Sequence, residues 1–377
     1  MLLVAEPTLG EEEKAALAAV IDAGWITMGD RVRAFERAFA DGQGVQDAVA
    51  VSSCTAGLHL VLAALGLGPG DEVLVPAATF VATANCVLHV GATPVFVDIE
   101  DLDLPLMSLT DASAKVTERT RAVILVNYAG YLPDRDRWRA FAEARGLLLI
   151  EDAAHAAGVE GAGAIGDAGV FSFYGNKNMT TAEGGMVIAR DSALLDRVRN
   201  LRGHGMTSGT QQRLTGHANG YDVTALGFNY RMDEFRAAIG LVQLAKLPAW
   251  NAKRRSLTET YRSLLERDCP DVLMPFSEPR ASAHHILPIL LPQGVDRQRL
   301  ADSMRADGVQ TSVHYAPLHH FTYYRDRFPD VSLPRTEEFA RRELTLPLHP
   351  KMEERDVATV TQALLHALSC QRQGMPA

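Results

Sequence analysis

The stretch LLLIEDAAHAAGVEGAGAIGDAGVFSFYGNKNMTTAEGG, residues 147–185, decides the fold. It opens on LLLIED (147–152), apolar on both faces until its two terminal carboxylates, and returns through the β-rich run GVFSF (169–173). A strand with one wet face alternates apolar and polar residues, whereas a run apolar on both faces belongs to a sheet covered on both sides. Working outward, VLVP (73–76), PVFVDI (94–99) and AVILVNYAG (122–130) have the same character. They are separated by segments with helical patterning. This β/α alternation predicts an α/β domain, a mostly parallel sheet covered by helices. Ligands of such sheets sit beyond the carboxyl ends of the strands, so the residues just after each run are the ones to watch.

Two helices are expected ahead of this region. Thr8 and Glu11 have the spacing of a capping box, Leu17, Val20 and Ile21 follow at helical intervals, and Gly24 is a stop. Val32, Phe35 and Phe39 mark one face of the second. Downstream, a helix is expected from Arg231 to Leu265, bent at Leu247-Pro248. A strand (HHILPILLP, 284–292), a helix (DRQRLADSMRADG, 296–308), a strand (QTSVHYA, 310–316) and a last helix over 353–368 follow. The expected organisation is a large domain over 1–245, a smaller C-terminal α+β domain over 246–370 and a tail at 371–377, with SCQRQGMPA (369–377) lacking order.

Composition narrows the function. The chain has 377 residues, 47% hydrophobic and 22% charged, with a formal net charge of −9. That balance excludes a general nucleic-acid binder, which needs a basic footprint to neutralise phosphates. The four cysteines, Cys54, Cys86, Cys269 and Cys370, form no CxxC pair, which predicts neither disulfides nor zinc and points to the cytoplasm. The N-terminal MLLVAEPTLGEEEK does not read as a signal peptide. No run of about 18 apolar residues predicts a membrane span.

The chain carries six lysines. Lys14, Lys115, Lys246, Lys253 and Lys351 stand in polar or helical contexts that predict solvation. Lys177 instead follows the GVFSF run and precedes a loop of Thr180, Thr181, Glu183, Gly184 and Gly185. An amine so placed can form an imine with an aldehyde cofactor once neighbours lower its pKa from about 10.4. Pyridoxal phosphate asks for that lysine, a carboxylate for its pyridine nitrogen, phosphate donors and a stacking partner. Asp152, at the end of LLLIED, is the natural candidate for the carboxylate; the alternative reading is a cap on the next helix. SSCTAGLHL (52–60) opens a helix whose amides would face an anion. Phe80 is placed to cover a ring or to join the core. GAGAIG (161–166) matches GxGxxG, but it precedes a strand where a dinucleotide site requires a helix, and it reads as a glycine-rich connector. His284-His285 and His319-His320 lack a carboxylate or cysteine at ligand spacing, so no metal site is expected.

Taken in order, SSCTAGLHL, GPGDEVLVPAATFVATAN, GATPVFVDIE, IEDAAHA, FSFYGNKNMTTAEGG, LGFNYRMDEFRAAIGLVQL and VHYAPLH resemble the DegT/DnrJ/StrS family of sugar aminotransferases. The resemblance spans almost the whole chain and implies fold type I of the pyridoxal-phosphate enzymes. FSFYGNKN and AEGG look closest to nucleotide-sugar 4-aminotransferases; Tyr174, Gly175 and Asn176 stand where aminocyclitol-forming relatives tend to carry glutamines. It implies that Lys177 carries the cofactor and shuttles the proton, that Asp152 pairs with the pyridine nitrogen and that His155 lies near the phenolic oxygen. Phe80 would stack on the ring, and Thr55, Ala56 and Ser172 would hold the phosphate, with Asn229 reaching it from the second subunit of a homodimer. His314 and Tyr315 would face the sugar or the amino donor. The implied reaction moves an amino group from glutamate to a nucleotide-linked keto-deoxysugar, such as a 4-keto-6-deoxyhexose. A sugar dehydratase, a 3-keto-sugar or aminocyclitol aminotransferase, and an idle sensor of the same fold are the alternatives. Dehydratase relatives usually replace the lysine by histidine, and Lys177 is present. Cys54 and Ala182 depart from the family's usual small residues, and the connector after His155 lacks a YKG-like insert.

Overall fold

The computed structural model describes residues 1–208 and 220–372. Its centre is a seven-stranded sheet of β1 (Val49–Val51), β2 (Glu72–Pro76), β3 (Thr93–Val97), β4 (Thr120–Val126), β5 (Leu148–Asp152), β6 (Ala168–Ser172) and β7 (Gly185–Ala189). The spatial order is β1-β7-β6-β5-β4-β2-β3. Strands β2 to β6 pair in parallel, and β7 runs antiparallel to both its neighbours. The four apolar runs read from the sequence are β2, β3, β4 and β5, and β6 carries GVFS.

Two-sided burial accounts for the unbroken apolar runs. The first helices are α1 (Glu11–Ala23), α2 (Asp30–Gln43), α3 (Cys54–Ala64), α4 (Ala82–His89), α5 (Leu109–Lys115), α6 (Arg135–Glu143) and α7 (Ser192–Arg202). Val73, Val75, Ile124 and Ile150 pack on the side of α3, α4 and α7. Leu74, Val123, Leu125 and Leu149 turn the other way, toward Trp138 and Phe141 of α6. Alternate residues of one strand thus enter two separate cores. Phe35 and Phe39 of α2 complete the second face against Phe171 and Phe173.

The C-terminal part adds α8 (Glu234–Asp268), β8 (Leu287–Leu290), α9 (Arg297–Ala306), α10 (Thr322–Arg325), α11 (Pro334–Arg342), β9 (Glu343–Leu346) and α12 (Glu354–Arg372). β8 and β9 form an antiparallel pair. Leu257, Tyr261 and Leu265 of α8 pack with Leu300 of α9 and Val360 and Leu364 of α12. The first turns of α8 lie instead on α1 and α2, and the buried Glu234 carboxylate accepts the amides of Gly29, Arg31 and Val32 at the start of α2.

Several sequence expectations need correction. The first helix is capped at Gly10, whose amide donates to Glu13 at 2.8 Å, so Thr8 and Glu11 form no capping box. Gly24 does end it in the left-handed conformation. α8 starts at its Asp233 cap and continues through Pro248 to Asp268. Of 284–292 only Leu287–Leu290 is a strand, and of QTSVHYA only Ser312 makes a bridge, to Thr345. The last helix reaches Arg372, so 369–372 are ordered; the rest of the expected tail, 373–377, lies outside the described residues. No described helix is long and apolar enough to cross a membrane.

Candidate active site

A cavity of about 440 Å³ lies beyond the carboxyl ends of the parallel strands. Most of the lining comes from strand exits: Ser53, Cys54 and Thr55 after β1, Thr79 and Phe80 after β2, Val126 at the end of β4, Asp152 and His155 at and after β5, Ser172 and Lys177 at and after β6. Seven of the residues named from sequence, Thr55, Phe80, Asp152, His155, Ser172, His314 and Tyr315, join Lys177 here. Ala56 does not line the cavity; its amide donates to Ser53 Oγ at 3.1 Å as part of the α3 cap. Asn229 is exposed and lies outside the cavity, bridged to Gly203.

Lys177 differs from every other lysine of the chain. Lys14, Lys115, Lys246, Lys253 and Lys351 each pair with a carboxylate within 3.3 Å. Lys115 and Lys246 are only about a quarter exposed, so they are clasped at the surface rather than freely solvated. Enclosure of the Lys177 ammonium lowers its pKa to about 8, while Cys54 and Asp152 pull the other way. The cause of the drop is burial and not, as the sequence reading had it, its neighbours.

Asp152 faces the cavity floor. Its Oδ2 accepts from Thr83 Oγ1 at 2.7 Å and its Oδ1 from the Ala154 amide at 3.2 Å, with the Cys54 thiol at 3.8 Å. Burial raises its pKa; the Thr83 hydroxyl, the Ala154 amide and Lys177 oppose that rise. His155 Nε2 lies 3.1 Å from the Tyr315 hydroxyl, and its Nδ1 is buried with no hydrogen-bond partner. Burial, helped by the charge of Lys177, holds the ring well below the usual imidazole pKa, so it is neutral. Phe80 is 57% exposed at the cavity wall, 6.1 Å from the Tyr315 ring. A core aromatic would be covered on both faces.

Backbone economy brings α3 to this position. A Cβ on Gly57 would sit 2.5 Å from Val170, so only glycine lets the helix press onto β6 with its first turn at the cavity. Ala182, in the loop after Lys177, holds a left-handed φ of 66°, which glycine would adopt without strain.

The adjacent Glu151 points away from the cavity, into the connector. Its oxygens accept the amides of Ile165 at 2.6 Å and Gly163 at 3.1 Å and the Asn127 side chain at 3.2 Å. The Gly163 and Ile165 amides of GAGAIG are therefore spent on an internal carboxylate, and those of Ala162 and Ala164 on nearby carbonyls, as fits a connector and not a dinucleotide site. Sequence reading did not find Glu151's role, nor Thr83 beneath Asp152, because neither lies in a recognisable spacing. It also missed Glu337: the fold brings this carboxylate to 3.1 Å from His319 and 4.0 Å from His320, correcting the expectation that the pair lacks one. The same oxygen accepts the Leu333 amide at 2.9 Å, which makes the group a clasp on the start of α11.

A lysine without a counter-ion, a carboxylate and a neutral imidazole at the strand ends of this fold define an aminotransferase of fold type I. The sequence from 7 to 365 matches the DegT/DnrJ/EryC1/StrS aminotransferase family, to which the chain belongs. Its structure is similar to that of the aminotransferase TlmJ from Streptoalloteichus hindustanus, with 35% identity, 99% of this chain and 100% of that one covered, and a TM-score of 0.91. DesI, determined in the presence of its TDP-sugar product, is 34% identical over 99% of this chain and 94% of its own, with a TM-score of 0.87. The PLP-form of Spr1654 from Streptococcus pneumoniae is 28% identical over 97% of this chain and 98% of its own, with a TM-score of 0.89.

Proposed function

We propose that the chain uses pyridoxal phosphate to transfer an amino group from glutamate to a nucleotide-linked keto-deoxysugar such as a 4-keto-6-deoxyhexose. The observation that carries this reading is Lys177, the one lysine with an enclosed amine and a pKa brought to about 8, facing Asp152 across one cavity. The chain's donor set suits the cofactor. An unpaired, buried His155 Nδ1 awaits a polar partner, and the amide end of α3 and the Ser172 hydroxyl border the same space. Asp152 would keep a pyridine nitrogen protonated, because an adjacent opposite charge favours the charged form. Phe80 would cover the ring, Thr55 and Ser172 would hold the phosphate together with the first turn of α3, where Ala56 stands, and Asn229 of a second copy would reach it. When bound, pyridoxal phosphate supplies an electron sink for the carbon that bears the amino group. Lys177, neutral in a useful fraction near pH 7, takes and returns the proton at that carbon. His314 and Tyr315 orient the sugar or the amino donor. DesI, with its TDP-sugar product, supports a nucleotide-linked substrate. The four cysteines are free, as suits a protein of the cytoplasm.

The test is a panel of nucleotide-linked 4-keto and 3-keto sugars with glutamate, run on the native protein and on Lys177→Ala. The native protein should show a visible cofactor band and convert a 4-keto sugar to an amine. Lys177→Ala should lose both while keeping its circular dichroism. A folded Lys177→Ala that retains band and turnover refutes the assignment.

A further inference from the structure

Glu343 is fully buried at the start of β9, and both its oxygens are committed. Oε2 accepts the backbone amide of His314 at 2.9 Å, and Oε1 lies 2.6 Å from Thr345 Oγ1. Thr345 Oγ1 in turn lies 2.8 Å from His314 Nδ1. The Tyr128 hydroxyl donates to the His314 carbonyl, so the histidine backbone is pinned from both sides. Thr345 is also fully buried, and no water-filled space is needed to complete the chain. His314 lines the cavity, and Nε2 is the ring atom left for a ligand.

These bonds admit two proton arrangements. Oε2 is held as an acceptor by a peptide N–H, so any proton on Glu343 sits on Oε1. With that proton present, Glu343 donates to Thr345, Thr345 donates to His314 Nδ1, and Nε2 carries the imidazole hydrogen. With it absent, Thr345 donates to Glu343, His314 Nδ1–H donates to Thr345, and Nε2 keeps a lone pair. We propose that Glu343, Thr345 and His314 form a proton relay that sets whether the cavity wall donates or accepts a hydrogen bond at His314 Nε2. Glu343 and Thr345 are positioning residues that act through the histidine. In the donating state the wall suits a carbonyl or carboxylate oxygen; in the accepting state it suits a hydroxyl or ammonium. Passing the Nε2 hydrogen to a ligand oxygen draws the Thr345 proton onto Nδ1 and the Glu343 proton onto Thr345. One proton leaves the buried carboxyl and one arrives in the cavity.

The electrostatics are compatible with this geometry. Burial raises Glu343 to about 8, against the Thr345 hydroxyl, the His314 amide and the charge of Arg297 on α9. Tyr128 and Tyr315 also face Glu343; burial and then the Glu343 charge keep the Tyr128 phenol protonated, while burial, Asp152 and then Glu343 do so for Tyr315. Burial and the charge of Lys177 hold the His314 ring down to about 4, so it is neutral and must choose a tautomer.

Nitrogen NMR of the full-length protein with labelled histidine reads that choice directly, since protonated and bare ring nitrogens resonate far apart. His314 is assigned by its loss in His314→Gln, and the titration runs over about pH 6 to 10. Native His314 should pass from the Nε2–H to the Nδ1–H form through about pH 8. Glu343→Gln should stay Nε2–H throughout, because its amide must donate to Thr345 while its oxygen accepts the His314 N–H. Thr345→Val should lose the switch and Thr345→Ser should keep it. A native histidine with one tautomer across the range, or a switch that survives in Thr345→Val, overturns the relay. The native titration and Thr345→Ser keep the test decisive even where Glu343→Gln fails to fold. No sugar or amino donor is present, so failure here leaves the transamination reading untouched.

Discussion

Replacing Asp152 by asparagine should make Lys177 a better nucleophile and the protein a slower enzyme. Enclosure takes the Lys177 amine from 10.5 to about 8. That drop makes the neutral form near pH 7 about 300-fold more abundant than in an unperturbed lysine. Cys54 and Asp152 are the two groups pulling the value back up. Removing the Asp152 charge at nearly constant volume takes one of those pulls away, so the midpoint falls below about 8. The same change deprives a bound pyridine nitrogen of its counter-ion, which costs a few kcal/mol in the barrier, roughly 100-fold in rate. Reductive methylation with formaldehyde, resolved lysine by lysine by peptide mass spectrometry across pH, measures the first effect. Steady-state turnover of the cofactor-loaded protein measures the second. Lys177 labelling with a midpoint near 10.4, or one that rises in Asp152→Asn, would refute the account of its environment. Normal turnover in that variant would reduce Asp152 to a cap of its own turn, since asparagine caps about as well as aspartate.

Two further outcomes follow from the same geometry. Ala182→Gly should raise stability by about 0.5–1 kcal/mol in urea unfolding, because Ala182 is exposed and holds a left-handed φ that costs an L side chain about 1–2 kcal/mol, of which the greater freedom of glycine in the unfolded chain takes back about 0.4–1 kcal/mol; an unchanged or lower midpoint would show that the strain is absent. Asn229→Ala should weaken phosphate-dependent cofactor binding several-fold without altering the fold, and sedimentation should find the active protein as a dimer at least. A fully active monomer would place Asn229 outside the site.

The parallel strands were legible because each is buried on both faces and so carries no polar alternation to confuse with a helix. Val73 and Leu74, neighbours in the chain, enter different cores, and nothing polar is tolerated at either. Lys177, Asp152 and the residues around them were legible for a related reason: strand ends fix where a side chain emerges. What stayed hidden depends on contacts between distant segments. Glu343 reads as an ordinary charge beside Arg341 and Arg342, and only the fold carries it to His314, 29 residues away. QTSVHYA has the composition of a strand, but pairing needs a neighbour, and only Ser312 finds one. The cap of α1 escaped because its N-cap is a glycine, whose contribution is a backbone amide and leaves no side-chain signature.

Glu151 and Asp152 are consecutive residues with opposite duties, one clamping the glycine connector and the other furnishing the cavity floor. Side chains on a strand alternate faces, so slipping this strand by one residue would send the longer acid to the cavity and the shorter one to the connector at once. Insertion or deletion of a single residue within 147–152 therefore has no partial phenotype: loop anchorage and chemistry fail in the same step. The segment can vary in the identity of its aliphatic side chains but not in its length. The span thus acts as a ruler: its length, set by the alternation of faces, places both acids at once.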